Sequence, residues 1–218
     1  MRQIHVLAAG LVRYADALTW QRDLARSRIA GTLDRDVLLL VEHPPVITLG
    51  RAARQVHLRD AAGIEVVEVE RGGDITYHGP GQLVGYPILD LTGYRRDLHW
   101  YLRTIEDALI RALASLGIAG ERRSGYTGVW TGGRKIASIG VHVKQWVTWH
   151  GFALNVTTDL AEFARIVPCG IPGVEMTSVE REGGRGVGAV RAVVQGFEQA
   201  FGVTAQSVQS FDVDRIDR

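Results

Sequence analysis

The residue with the clearest chemical potential is a lone cysteine. Cys169 is the single Cys of the chain, so it forms no internal disulfide, and no zinc site can be built from thiolates. It lies in Val167-Pro168-Cys169-Gly170-Ile171-Pro172-Gly173. Prolines and glycines at that density predict a loop of fixed shape with close backbone access. A cysteine that only fills space sits more naturally on a helix or strand face, so the loop favours a reactive thiol. Reactivity requires the thiolate, and an ordinary thiol ionises near pH ~8.5, so a base or a cation must lie nearby.

Lysine is scarce here. Lys135 and Lys144 stand against 23 arginines, so each lysine calls for a reason. A strand predicted over 134–143 places Lys135, Ala137, Ile139, Val141 and Val143 on one face. A lysine on that apolar face would be desolvated, which lowers its pKa. It could then take the thiol proton, or, if it stayed charged, stabilise the thiolate. The competing reading is a lysine at a strand end, snorkelling into solvent beside the Gly132-Gly133 turn.

Other candidates carry weaker signals. None of the seven histidines lies in H-E-x-x-H or another tight ligand spacing, so no metal is expected. His78 and His150 each precede a glycine and are candidates to line a pocket, against the plainer reading of hydrogen-bonded histidines. Arg71-Gly72-Gly73-Asp74 predicts a turn that lets a ligand approach the backbone, although Gly-Gly-Asp is good turn chemistry in any case. Gly184-Arg185-Gly186-Val187-Gly188-Ala189 matches a loose dinucleotide pattern. Too little chain follows it for a βαβ unit, and it is rejected.

The elements that must position these residues are a mixture. Strands are predicted at 3–12, 37–41, 46–49, 64–69, on either side of Gly79-Pro80-Gly81, and at 134–143 and 147–156 around Lys144-Gln145-Trp146. Helices are predicted at 14–30 with Gly31 as a stop, at 97–116 with Asp97 as N-cap and Gly117 just past the end, and at 187–201. They do not alternate as strict βαβ units, so the fold class is α/β (α+β), a single domain with a mixed sheet flanked by helices. That domain is expected over 1–209, with 210–218 a frayed tail. The chain of 218 residues is long enough for its own core, and a net charge of +1 gives no electrostatic case for nucleic acid. The apolar run Val6–Val12 reads as a first strand and not a leader. No segment reaches the length of a membrane span.

Taken together, these motifs resemble one family. The segment Arg71-Gly-Gly-Asp-Ile-Thr-Tyr-His-Gly-Pro-Gly-Gln-Leu-Val-Gly-Tyr-Pro-Ile-Leu-Asp-Leu91 resembles the signature of lipoyl(octanoyl) transferases. Glu42 to Gly50, Gly128 to Asn155 and Ile166-Val-Pro-Cys-Gly-Ile171 agree with it, so the likeness runs from about 42 to 179. It implies the fold of biotin and lipoate protein ligases, and transfer of an octanoyl or lipoyl group from acyl carrier protein to a lysine. The implied acceptors are the lipoyl domains of 2-oxoacid dehydrogenase complexes and the glycine cleavage H protein. The nucleophile of the family falls on Cys169 and its activating lysine on Lys135. Acyl-pocket segments fall on Arg71, Gly72, Gly73, Asp74, Ile75, Thr76, Tyr77 and His78, on Ser138, Ile139 and Gly140, and on Gly151, Phe152 and Ala153.

An incoming thioester is already activated, so no cofactor is expected. Oxyanion donors are open, with backbone amides around Gly170 as one source. A lone reduced cysteine fits the cytoplasm, and no membrane partner is implied. Two readings stand against this one. The first is an ATP-dependent lipoate or biotin ligase, from which Pro168-Cys169-Gly170 separates the chain. The second is an acyl-binding module without catalysis.

Overall fold

The computed structural model describes residues 2–209, so Met1 and the expected tail at 210–218 lie outside the described residues. The chain opens with β1 (Arg2–Leu11), α1 (Tyr14–Ala30), β2 (Asp36–Glu42) and β3 (Val46–Leu49). It continues through β4 (Glu65–Glu68), β5 (Ile75–His78), β6 (Gln82–Ile88), α2 (Leu98–Ser115), β7 (Val129–Thr131) and β8 (Arg134–Lys144). Last come β9 (Val147–Asn155), α3 (Ala189–Phe201) and β10 (Val203–Ser207). Each helix ends where its sequence says it should. Gly31 takes a left-handed conformation after α1, and the Asp97 carboxylate accepts from the Trp100 amide at the start of α2. The third helix begins at Ala189 and not at 187, because Gly188 has φ +95° and cannot join it.

Seven strands form a mixed sheet in the order β10-β1-β2-β6-β9-β8-β7. Its central strands β2, β6 and β9 are buried almost throughout, because both faces are covered. On one face α2 and α3 pack through Tyr101, Ile105, Leu109, Val193 and Phe197. On the other, α1 supplies Ala17, Leu24 and Ala25 against Val37, Leu39, Tyr86 and Ala153. A second sheet, β4-β3-β5, packs against α1 through Val46 and Leu18. The two strands flanking Gly79-Pro80-Gly81 therefore belong to different sheets, with the turn carrying the chain from one to the other. Among the described residues no helix is long and apolar enough to cross a membrane.

One irregularity matters for the site. Val129 pairs with Ala137 but Trp130 pairs with Lys135, so Ile136 is an extra residue in β8. Alternation therefore flips at that point. Ala137, Ile139 and Val141 stay with the core under α2 and α3, whereas Lys135 does not share their face as simple alternation predicts.

Candidate active site

Cys169 sits in a single 3-10 turn, Pro168–Gly170, with φ 56° and ψ 18°. A left-handed conformation is unusual for a residue with a Cβ, and strain of this kind is common at functional sites. Neighbouring contacts hold it there. The Gly170 amide donates to Val167 O at 3.0 Å and the Ile171 amide to Pro168 O at 3.1 Å. Val167 N donates to His57 O at 2.8 Å, which ties the turn to the 55–57 segment. Gly170 has φ +66°, and a Cβ there would lie 2.4 Å from Asp74 Oδ2 and 3.2 Å from His57 Cε1. Asp74 is fixed in turn by His57 Nδ1 at 2.7 Å and by the Ile75 amide at 2.7 Å.

Lys135 comes to this sulfur from β8. Its Nζ lies 3.1 Å from Cys169 Sγ, donates to Thr127 O at 3.3 Å, and sits 4.9 Å from the Trp130 ring centroid. The carbonyl and the ring face both contact the amine. The lysine is 1% exposed, so it does not snorkel. Its stem passes beside Gly128, where a Cβ would be 2.8 Å from Lys135 Cε. Ser138 Oγ lies 3.6 Å from the same sulfur, although plain alternation puts 135 and 138 on opposite faces. The extra residue at Ile136 is what brings both to one side.

The electrostatic balance at the thiol has opposing parts. Burial pushes the Cys169 pKa up, but the Lys135 charge, the Ser138 and Lys135 hydrogen bonds and the Arg71 charge together pull it below its ordinary value. Arg71 is buried, and its guanidinium donates to Thr48 O at 2.8 Å, Thr48 Oγ1 at 2.9 Å and Gly72 O at 3.1 Å. Among the described residues neither Lys135 nor Arg71 has a carboxylate within ion-pair distance, so a thiolate is the anion available to both.

A cavity of about 350 Å³ runs inward from Cys169, within the range of small-ligand pockets. Of the predicted pocket residues, Arg71, Gly73, Asp74, Ile75, Thr76, His78, Ser138, Ile139, Gly140, Gly151, Phe152 and Ala153 line it. Two do not. Tyr77 alternates away from Thr76 and His78 and packs edge-on against Phe163. Gly72 is held off the cavity by its amide hydrogen bond to Val141 O at 2.9 Å. Both pocket histidines proposed from their glycine neighbours, His78 and His150, are part of the lining. Tyr14, Tyr86, Tyr126 and Thr127 line it without having been foreseen. Tyr14 and Tyr86 carry only a polar tip at an otherwise apolar helix or strand position, and Tyr126 and Thr127 lie in the loop before β7, signals too common to single them out.

The amides of Gly170 and Ile171 are used inside the turn, so they are not the oxyanion donors anticipated there. Lys135 Nζ and Ser138 Oγ are the donors nearest the sulfur. Among the described residues no group of His, Cys, Asp and Glu side chains is arranged to hold a metal ion. A cysteine with a lowered pKa beside a buried lysine, at the mouth of a largely apolar pocket, is suited to covalent acyl transfer.

Known proteins resemble this chain over most of its length. The model of the lipoyl protein ligase A/B catalytic domain matches residues 13–202. The octanoyltransferase of Gloeobacter violaceus is 57% identical over 203 residues, covering 92% of this chain and 91% of the relative. That of Geobacter sulfurreducens is 54% identical over 181 residues, covering 83% and 76%. A putative lipoate protein ligase from T. acidophilum superposes with a TM-score of 0.79 at 17% identity, covering 99% of this chain and 91% of its own, which shows a shared fold.

Proposed function

The chain belongs to the lipoyl protein ligase A/B catalytic domain family, and on that premise we propose that it carries an octanoyl group from acyl carrier protein to a lysine of a lipoyl domain through a thioester on Cys169. The enzyme is an acyltransferase, and the group it transfers is octanoyl, in protein lipoylation. The observation that supports the covalent route is the 3.1 Å approach of Lys135 Nζ to Cys169 Sγ.

The cycle closes without an added base. The Cys169 thiolate attacks the carbonyl carbon of the donor thioester, and Lys135 and Ser138 stabilise the oxyanion. Collapse breaks the carrier's C–S bond, and the Lys135 ammonium protonates the departing thiolate. Lys135 is then a neutral amine beside an acyl-enzyme. The acceptor ε-amine attacks the acyl carbon, its proton passes to Lys135, and Cys169 leaves as thiolate. Enzyme and ion pair are restored, and two protein substrates have used one site in turn.

The tail supplies binding energy. Burial is worth about 0.8 kcal/mol per methylene, so an eight-carbon chain gains several kcal/mol in the cavity. The donor and the lipoyl acceptors, those of the 2-oxoacid dehydrogenase complexes and the H protein, are expected to be acidic near the modified group, and arginines around the mouth would steer them. A single free cysteine with a lowered pKa fits a reducing cytoplasm.

Incubation with octanoyl acyl carrier protein and no ATP is expected to leave one hydroxylamine-labile octanoyl adduct, located by mass spectrometry at Cys169. Continued transfer by Cys169→Ala would exclude the covalent route.

A further inference from the structure

The inner end of the acyl cavity is polar, which is unexpected for a wall that would meet a methyl group. The mouth is marked by Tyr126, 39% exposed, and by Thr127 and Gly170 near the sulfur. The opposite end is formed by Tyr14, Tyr86 and His150, at 3%, 3% and 1% exposure. His150 is in β9 with φ 55°, a left-handed residue inside a strand. That twist brings its ring to the same carboxylate as its neighbour Trp149. Trp149 Nε1 donates to Glu70 Oε1 at 2.8 Å, while His150 Nε2 stays 3.7 Å from Glu70 Oε2. His150 Nε2 is thus turned to Glu70, and both ring nitrogens are closed to solvent. The Tyr14 ring stacks on His78 at 5.9 Å, and burial raises its hydroxyl pKa to about 12, so it is a neutral donor.

The sheet register measures how far this wall lies from the nucleophile. Ser138, beside Cys169 Sγ, pairs with Ala153, and three pairs further along the same ladder Val141 pairs with His150. Three residues of strand span about 10 Å. An extended octanoyl chain, a zigzag of seven C–C bonds of ~1.5 Å each, spans about 9 Å. A chain of that length fills the cavity and stops at the wall.

We propose that Tyr14 sets the acyl chain length by polarity, and that the wall it forms accepts a hydrogen-bonding group at the chain's far end better than a longer hydrocarbon. A decanoyl chain must press two methylenes against the Tyr14 hydroxyl, which then loses its access to water or to any partner. A buried polar group left unsatisfied disfavours the complex by about tenfold or more. A terminal hydroxyl at the eighth carbon instead supplies both a donor and an acceptor there. This inference rests on the cavity being the acyl site.

The test measures kcat/KM for octanoyl, 8-hydroxyoctanoyl and decanoyl acyl carrier protein with the native enzyme and with Tyr14→Phe, which removes only an oxygen. The native enzyme is expected to disfavour decanoyl by about tenfold or more and to use 8-hydroxyoctanoyl at least as well as octanoyl. In Tyr14→Phe the decanoyl-to-octanoyl ratio is expected to rise about fivefold and the hydroxyl advantage to fall. A native enzyme that rejects hydroxyoctanoyl as strongly as decanoyl has a steric wall, and the proposal fails. Unchanged ratios in Tyr14→Phe also overturn it. If no chain of any length is transferred, the acyl-pocket reading fails instead, so the two failures are distinct.

Discussion

Reactivity at Cys169 depends on a small number of atoms. Burial alone would protonate the thiol, and it is the adjacent ammonium that reverses this. Replacing Lys135 by Met keeps the stem and removes the charge. The Cys169 pKa should then rise above that of the native thiol, read from the pH dependence of iodoacetamide alkylation, and kcat/KM should fall by about 10²–10⁴-fold. An alkylation profile unchanged by the substitution would remove Lys135 from the activation step. Ser138→Ala should shift the profile in the same direction but less, since a hydrogen bond at 3.6 Å is lost and no charge. Of these groups, Cys169 and Lys135 could be found from rarity and loop composition. Ser138 drew attention through family likeness, because nothing in its own neighbourhood distinguishes it from a surface serine.

At the scale of elements, the sequence is legible where periodicity is undisturbed. The helices at Tyr14–Ala30 and Leu98–Ser115 end within a residue of their glycine and aspartate signals. Legibility fails where one residue breaks a period. A buried Lys135 follows from alternation along β8, but the face is wrong, because Ile136 is inserted and a bulge depends on the partner strand β7. The division of β5 and β6 between sheets is likewise set by long-range pairing that no local window contains. Two glycines test the consequence. Gly170→Ala puts a Cβ against Asp74 in a left-handed turn, so acylation should slow about tenfold or more while the melting temperature drops by a few degrees. Gly196→Ala lies where α3 meets α2, with the new Cβ 2.2 Å from Ala108 O. It should lower the melting temperature and leave the alkylation profile of Cys169 as it was. If the two variants altered thiol reactivity equally, the turn would not be the element that tunes the sulfur.

For the molecule as a whole, keeping the pocket wall polar and buried makes the fold sensitive to acid. His43 donates from Nδ1 to Val12 O at 2.7 Å and accepts at Nε2 from the Tyr86 hydroxyl at 2.7 Å, an arrangement that needs a neutral ring. Burial lowers its pKa to about 4. His78 is pushed to about 3, by burial first and then by the nearby His43. Both folded values lie below the ~6.5 of an unfolded histidine. The unfolded chain therefore binds protons that the folded one refuses. The stability is complete above about pH 6.5 and is lost progressively as pH falls through 4 toward 3, on the order of a few kcal/mol per histidine. Glu70 adds to the loss in more acidic solution. Its carboxyl is held well below the usual range by His150, and also by Arg22 and Trp149, against the opposing effect of burial, so it stabilises the fold only where an unfolded glutamate is ionised. The two sources separate by window, the histidines acting between about pH 6.5 and 4 and Glu70 below about 4.5. Urea midpoints measured from pH 8 to pH 4.5 should thus decline with falling pH. His78→Gln should start lower at pH 8, having lost the 2.7 Å bond to Gln82, yet decline less steeply because one proton-refusing ring is gone. Parallel curves for the native protein and the variant would mean that the acid loss arises elsewhere.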